Sequence, residues 1–226
     1  MAERPMLFNG AMVRAILSGA KTQTRRAVKM PEGFDFIAGQ GDDVDDPSNW
    51  GGEHEDGQWW ALAAGVGVDQ VLPCPFGVPG DRLWVRETWG IWDQGFDTSE
   101  ESGFTIYRAD TERPEPRRWR PSIHMPRSAC RLVLEVTGVR VERLQAISEA
   151  DMFAEGLERL EKHDSDMKAA VRHRALNQWL GKGEPDVWDR PAHAFRCLWE
   201  STGGDWIANP FVWVVGFRIA EGPANG

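Results

Sequence analysis

The chain has 226 residues, of which 41% are hydrophobic and 27% are charged, and its formal net charge is -9. These values are typical of one globular domain with a full core, and the acidic balance argues against tight non-specific binding to duplex nucleic acid, which requires phosphate neutralisation. No apolar run reaches the roughly 18 residues of a membrane span and the N-terminus lacks a signal-peptide pattern, so we expect a cytoplasmic protein.

The charge is unevenly distributed along the chain. Residues 1–30 carry six bases against one acid, and residues 108–143 carry nine arginines against five acids. Residues 31–56 carry nine acids and neither Lys nor Arg. The two basic segments either converge on one anion-binding site or form separate solvated faces, and the composition leaves both open.

The first predicted elements are a short strand and a helix. Residues 6–8 form an apolar stretch that indicates a strand. Asn9 is a suitable N-cap and Gly19 a suitable terminator for a helix with an apolar face of Met12, Val13, Ile16 and Leu17. Residues 31–57 are rich in Gly, Asp and Pro, so we expect an acidic loop insertion there.

The following strands are predicted from alternation of apolar and polar residues. They cover residues 83–87, 104–108 (between loops at 93–103 and 110–118), 130–137 and 139–142, with Gly138 as a break. Residues 211–217 are continuously apolar and β-branched, which indicates a strand buried on both faces.

Three further helices are predicted in the second half of the chain. The first begins at Ser148, which has Asp151 at the capping-box position, and ends at Gly156. The others cover residues 165–180 and 191–201. Short strands, few helices and no repeats predict an α+β fold with a mostly antiparallel, barrel-like sheet.

Common enzyme motifs do not occur in this sequence. Phosphate-binding loops, His-Glu-x-x-His zinc motifs and Gly-x-Ser-x-Gly nucleophile elbows are all missing. The three cysteines, Cys74, Cys130 and Cys197, are too widely spaced for a zinc ribbon or a disulfide framework, and we expect neither a metal nor a cofactor. What remains is the 19–26 segment, Gly-Ala-Lys-Thr-Gln-Thr-Arg-Arg, where bases near a helix C-terminus also have a purely structural explanation.

This segment resembles the signature of the ASCH domain family, Gly-x-Lys-x-x-Glu-x-Arg. Gly19, Lys21 and Arg26 fall on its fixed positions, and Thr24 replaces the usual Glu, as in the branch of the family that hydrolyses N4-acetylcytidine. The resemblance implies a PUA-like fold, which is a small mixed, mostly antiparallel β-barrel with flanking helices. Residues 1–226 would form a single ASCH-like domain.

The same resemblance implies a catalytic set of Lys21, Thr24 and Glu155, since the stretch 148–155 is similar to the helix that carries the glutamate in that branch. Thr24 would be the nucleophile, Lys21 the base if its pKa is lowered, and Glu155 the group that orients Lys21 or moves the proton. A structural salt bridge without turnover is the alternative. Further substrate-binding candidates are Arg25, Arg26, Trp84, Arg86, Glu87, Ser122, His124 and Arg127.

Most of the chain also resembles a group of phage and prophage proteins with a longer ASCH-like domain, often labelled morphogenetic. The shared features are residues 79–89, residues 122–127 and the closing strand with Trp213. The resulting hypotheses are a hydrolase acting on N4-acylated cytosine nucleosides, a non-catalytic module binding single-stranded RNA or a modified nucleotide, and a phage assembly protein. The expected location is the cytoplasm of a bacterium or of a phage-infected host cell.

Overall fold

The computed structural model describes residues 1–38, 49–62, 70–92, 103–159, 171–172 and 191–222. Its helices are α1 (Gly10–Leu17), α2 (Glu149–Ala154) and α3 (Pro191–Ser201). Its strands are β1 (Glu3–Leu7), β2 (Gln23–Ala27), β3 (Phe34–Ala38), β4 (Trp50–His54), β5 (Trp59–Ala61), β6 (Arg82–Arg86), β7 (Trp89–Trp92), β8 (Phe104–Tyr107), β9 (Val133–Arg143), β10 (Glu158–Arg159), β11 (Val171–Arg172) and β12 (Phe211–Glu221). The predicted α+β class is confirmed.

A five-stranded sheet in the order β1-β6-β9-β12-β2 organises the core. Strand β1 is parallel to β6, and the other neighbours are antiparallel. The predicted strand at 211–217 is confirmed and lies in this sheet, with Val212, Val214 and Val215 fully buried. Apolar side chains on both faces of β12 explain why the sequence shows an uninterrupted apolar run there.

The two capped helices begin where the sequence predicts. The Asn9 side chain accepts a hydrogen bond from the Met12 backbone N–H at 2.9 Å, and the Ser148 hydroxyl accepts one from Asp151 at 3.1 Å. Helix α1 buries the apolar face that includes Met12 and Ile16, and helix α3 confirms the helix predicted over 191–201. Local capping chemistry therefore fixed these helix starts.

Gly138 does not break the strand predicted on either side of it. Strand β9 runs through Gly138 without interruption, and this glycine pairs with Gly216 of β12. A register shift follows directly, between Gly216 and Phe217. The expected break is therefore wrong, because two paired glycines accommodate a bulge inside a continuous ladder.

The acidic segment is not simply a loop where the structure describes it. Strands β3, β4 and β5 form an antiparallel three-stranded sheet, and residues 39–48 lie outside the described part. Trp50 is buried, with its ring 4.5 Å from that of Phe211 on β12. The expectation of a loop over 31–57 is wrong for these residues, because aromatic packing anchors a Gly- and Asp-rich stretch whose composition suggests a turn.

Most of the helix expected over 165–180 lies outside the described residues. The two described positions in that range, Val171–Arg172, pair as a strand with Glu158–Arg159. The strand predicted near 104–108 is confirmed as β8, and its partner β7 was not predicted. Residues 93–102 also lie outside the described part.

Among the described residues, the main sheet does not close into the expected barrel. Its edge strands are β1 and β2, and a side chain spans the gap between them: Arg26 on β2 donates a hydrogen bond to the Leu7 carbonyl oxygen on β1 at 2.8 Å. Phe8, just after β1, meets Phe217 of β12 with ring centroids 6.1 Å apart. No described helix is long and apolar enough to cross a membrane.

Candidate active site

The end of α1 places Lys21 at the start of β2. Gly19 has a φ of +77°, a left-handed conformation in which glycine avoids the steric penalty of a side chain. The Lys21 backbone N–H then donates to the Ala15 carbonyl at 3.0 Å, which holds the turn against the helix. Gly19, the first residue of the motif, is therefore favoured by its backbone conformation, because the chain turns there from helix α1 toward strand β2.

Lys21 and Glu155 meet although 134 residues separate them in the sequence. The Lys21 ammonium donates to the Glu155 carboxylate at 2.6 Å and to the Glu155 carbonyl oxygen at 3.0 Å. The two backbones also form a bridge, and Thr22 N–H donates to the Ala154 carbonyl at 2.9 Å. Glu155 is the C-cap residue of α2, so this helix end is attached directly to the start of β2.

Arg25 extends this contact into a buried ionic network. Its guanidinium donates to Glu155 Oε1 at 3.1 Å, to Asp151 Oδ2 at 3.1 Å and to Glu142 Oε1, for which the Nε distance is 3.0 Å. Arg140 binds the same Glu142 and Asp151, at 3.2 and 2.8 Å. The five residues Lys21, Arg25, Glu142, Asp151 and Glu155 are called the Lys21 cluster below.

Burial controls the electrostatics of the cluster. The Lys21 side chain has 0% of its surface exposed, and this loss of hydration lowers the pKa of its amine below the ordinary value. The Glu155 carboxylate opposes that shift, while the charges of Arg26 and Arg25 add to it. A lowered pKa makes the neutral amine, which is the form that accepts a proton, easier to reach than in an exposed lysine.

Thr24 is buried in the same strand but does not join the Lys21 cluster. It is 1% exposed and lies opposite Val215 of β12. Side chains alternate along a strand, so Thr24 shares a face with Arg26, while Gln23 and Arg25 point to α2 on the other face. Within the described part of the chain, no hydrogen bond joins its hydroxyl to Lys21 or Glu155.

A cavity of about 540 Å³ opens on the Arg26 side of the sheet. Arg26 and Lys29 line it together with Trp213, which pairs with Arg26 across β12 and β2. Leu72, Pro73 and Phe76 supply apolar wall. The site thus has a buried acid–base pair at the start of β2 and an open, cationic and aromatic cavity at the end of β2, and Thr24 is not one of the residues that line this cavity.

The chain matches no protein-family model, and no curated protein or solved structure is significantly similar to it. The resemblance to ASCH proteins therefore stays a prediction, and the geometry of this site is the independent basis for a functional hypothesis.

Glu87, one of the predicted substrate-binding residues, belongs to a second buried ionic group. Its carboxylate is 1% exposed and receives two hydrogen bonds from Arg131, at 3.0 and 3.1 Å. Arg131 also contacts Asp110 at 2.8 Å and lies 3.9 Å from the Tyr107 ring centroid. Burial raises the pKa of Glu87, against the pull of Arg131. Glu87, Arg131 and Asp110 are called the Glu87 cluster.

The other predicted binding residues lie along β6 and the turn near 122–127. Arg86 packs its guanidinium 5.4 Å from the Trp84 ring and donates to the Ile123 carbonyl. That carbonyl belongs to the 3-10 turn Ser122–His124, in which His124 is exposed. Arg127 is paired with Glu3 at 2.9 Å. Their hydrogen bonds and ion pairs, as far as the structure describes them, do not connect them to Lys21 or Glu155.

Several residues of the site were not singled out from the sequence. Asp151 was noted only as a cap, and Glu142 and Arg140 only as parts of an alternating strand. Arg140 and Glu142 alternate with apolar residues, which places both on one face of β9. This alternation is the sequence signal that could have indicated a charged face against which Arg25 packs. Lys29 and Trp213 could not be assigned to one cavity, because they are 184 residues apart in the chain.

The two basic segments do converge, but on shared acids. Arg25 comes from the first segment and Arg140 from the second, and both bind Asp151. Among the residues that the structure describes, no group of three or more His, Cys, Asp and Glu side chains could hold a metal ion.

Proposed function

We propose that this protein is a hydrolase that removes acyl groups from N4-acylated cytosine nucleosides or a related modified nucleoside. The observation that supports this proposal is the dehydrated contact of the Lys21 amine with the Glu155 carboxylate at 2.6 Å. Buried ion pairs contribute little net stability compared with apolar packing, because both charges lose their hydration. A buried pair with a depressed lysine pKa is therefore a candidate for acid–base chemistry.

The reaction assigns one role to each of the three residues. The Thr24 hydroxyl oxygen attacks the acyl carbonyl carbon and gives its proton to the neutral Lys21 amine. The C–N bond to the cytosine then breaks, and the leaving N4 takes a proton from Lys21, which Glu155 holds in place. Water hydrolyses the acyl-threonine and restores the hydroxyl.

The proposed reaction has to account for the separation between the Thr24 hydroxyl and the Lys21–Glu155 pair. Because Thr24 and the Lys21–Glu155 pair lie on opposite faces of β2, the proposed proton transfer requires one of the side chains to change position when substrate binds. By the alternation of side chains along β2, Thr24 shares a face with Arg26, and Arg26 lines the cavity in which we place the acylated base. A PUA-like fold belongs to the same proposal: the main sheet is open among the described residues, but the bond from Arg26 to Leu7 links its two edge strands, which supports this fold.

Turnover of N4-acetylcytidine tests the proposal. The purified protein should release cytidine, and Lys21→Met or Glu155→Gln should lower kcat by at least roughly 100-fold, the usual contribution of general acid–base catalysis. Thr24→Val should abolish turnover, whereas Thr24→Ser should keep part of it because the hydroxyl remains. Glu135→Gln, which changes a surface carboxylate paired with Arg218, is the matched control.

Absence of cytidine above the blank at high enzyme concentration, with a folded wild type, would refute the hydrolase.

A non-catalytic module that binds RNA or a modified nucleotide is the second candidate. It is favoured by the complete burial of the Lys21 amine, which already has two oxygen acceptors. In that case the cavity binds ligand with salt-sensitive affinity, and Lys21→Met changes stability without changing binding.

A further inference from the structure

The cavity beside Arg26 has the dimensions and wall chemistry of a small-molecule site. Its volume of about 540 Å³ lies within the roughly 300–1,000 Å³ that ligand pockets occupy. Apolar and aromatic residues, including Phe76 and Trp213, form most of the lining, and the two charged residues in it are Arg26 and Lys29. Within the described ranges, the lining of this cavity contains no Asp or Glu. The cavity is thus locally cationic in a protein of net charge -9.

Arg26 is held in position and still has donors available. One guanidinium nitrogen donates to the Leu7 carbonyl at 2.8 Å, and the guanidinium lies 5.5 Å from the Phe8 ring centroid. Its other N–H groups have no protein acceptor within the described residues. An arginine fixed in this way can bind an anionic oxygen without first losing side-chain entropy.

Lys29 stands at the exposed rim of the same cavity, two residues beyond the end of β2. An exposed lysine next to an ordered arginine is suited to a mobile, doubly charged group such as a phosphate, since the ammonium acts as a point charge with rotating donors. A neutral nucleoside would leave both cations unneutralised. A carboxylate ligand could bind Arg26, but Lys29 would then add little to the binding free energy.

We infer that this cavity binds a pyrimidine nucleotide through its phosphate, so that the substrate class is the nucleoside monophosphate rather than the free nucleoside. The phosphate contacts Lys29 and Arg26, and the base lies against the apolar wall near Trp213. The inference rests on the proposed function for the identity of the base. The phosphate preference depends only on the two cations. The same chemistry is offered by a free mononucleotide and by a phosphate-bearing residue of single-stranded RNA.

Calorimetric titration of the full chain tests this inference without catalysis. Cytidine 5′-monophosphate should bind at least about tenfold more tightly than cytidine, because one charge-assisted hydrogen bond typically contributes a binding free energy of that size. Lys29→Gln should remove most of that difference and leave cytidine binding unchanged. Lys29 is exposed and therefore safe to replace, and Arg218→Gln, a surface cation outside the cavity, is the matched control. A 5′-phosphorylated oligocytidylate binding more tightly than the monophosphate would identify RNA as the source of the phosphate, and weaker binding would identify the free nucleotide.

Two results would overturn the inference: equal affinity for cytidine and its monophosphate, or equal loss in Lys29→Gln and Arg218→Gln. Turnover separates this failure from that of the hydrolase. If N4-acetylcytidine and its 5′-monophosphate are hydrolysed with the same kcat/KM, the hydrolase stands and the phosphate site fails. If neither is hydrolysed but Lys29-dependent nucleotide binding is measured, the phosphate site stands and the hydrolase fails.

Discussion

The two buried ionic clusters differ in how their charges are arranged. In the Glu87 cluster, one guanidinium forms two parallel hydrogen bonds with one carboxylate, and Asp110 completes the group with a side chain that is 35% exposed. In the Lys21 cluster, an amine without exposed surface shares a carboxylate with Arg25. A bidentate Arg–carboxylate pair fixes geometry, and the charge of Arg131 opposes the rise in the pKa of Glu87 that burial causes. A dehydrated lysine instead has a depressed pKa, which makes the Lys21 cluster the better candidate for chemistry.

The largest expected effect is the loss of Glu155. Glu155→Ala leaves the Lys21 amine buried without a carboxylate, and removing one partner of a buried pair typically costs about 3–5 kcal/mol. Glu87→Ala should cost less, because Arg131 keeps Asp110 at 2.8 Å and is partly exposed. Urea unfolding of both variants measures the difference.

A double replacement controls this experiment. Lys21→Met with Glu155→Leu removes both charges together and should recover most of the loss, as apolar substitutes for buried pairs do. Arg25 retains Glu142 and Asp151 in that variant. A double variant as unstable as Glu155→Ala would show that the charges themselves are needed for folding.

The next largest effect concerns the pH dependence of the free energy of unfolding, to which Lys21 and Glu87 should contribute with opposite signs. The lowered pKa of Lys21 means that the unfolded chain binds its proton more tightly, so stability should rise with pH from the folded pKa up to the ordinary value of 10.5. The raised pKa of Glu87 means that the folded chain binds the proton more tightly, so this contribution should fall as pH rises above 4.5.

Unfolding free energies from pH 4 to 10 check both signs against Lys21→Met and Glu87→Gln. The first variant should lose the rise in the alkaline range, and the second should lose the decline in the acidic range. If both variants follow the wild-type curve, the burial that we assign to these groups does not control their protonation.

The smallest effect should come from a surface pair of the same residue types. Arg218 donates to Glu135 at 2.8 Å with its side chain 69% exposed. Arg218→Ala should change the unfolding free energy by no more than about 0.5 kcal/mol, because water and salt screen exposed charges. A loss as large as that of Glu87→Ala would contradict the ranking by burial.

Local signals in the sequence predicted part of the fold and of the site. Asn9 and Ser148 marked helix starts, and the apolar run near 211–217 marked a buried strand, because capping and alternation depend on neighbouring residues. The contact of Lys21 with Glu155 was expected from a resemblance, not from spacing. Gly138 misled the strand prediction, since whether a glycine ends a strand depends on the partner strand.

By itself, the sequence determined the starts of α1 and α2, the buried strand near 211–217, the α+β class and the donor-rich segment after α1, because these follow from interactions within a few residues. Only the tertiary structure decided that Arg25 would be surrounded by three carboxylates, that Glu87 would bind Arg131, and that Arg26 would share a cavity with Trp213. The reason is physical: burial and charge pairing are set by strands and helices that meet from distant parts of the chain, and the pKa of Lys21 follows from those neighbours.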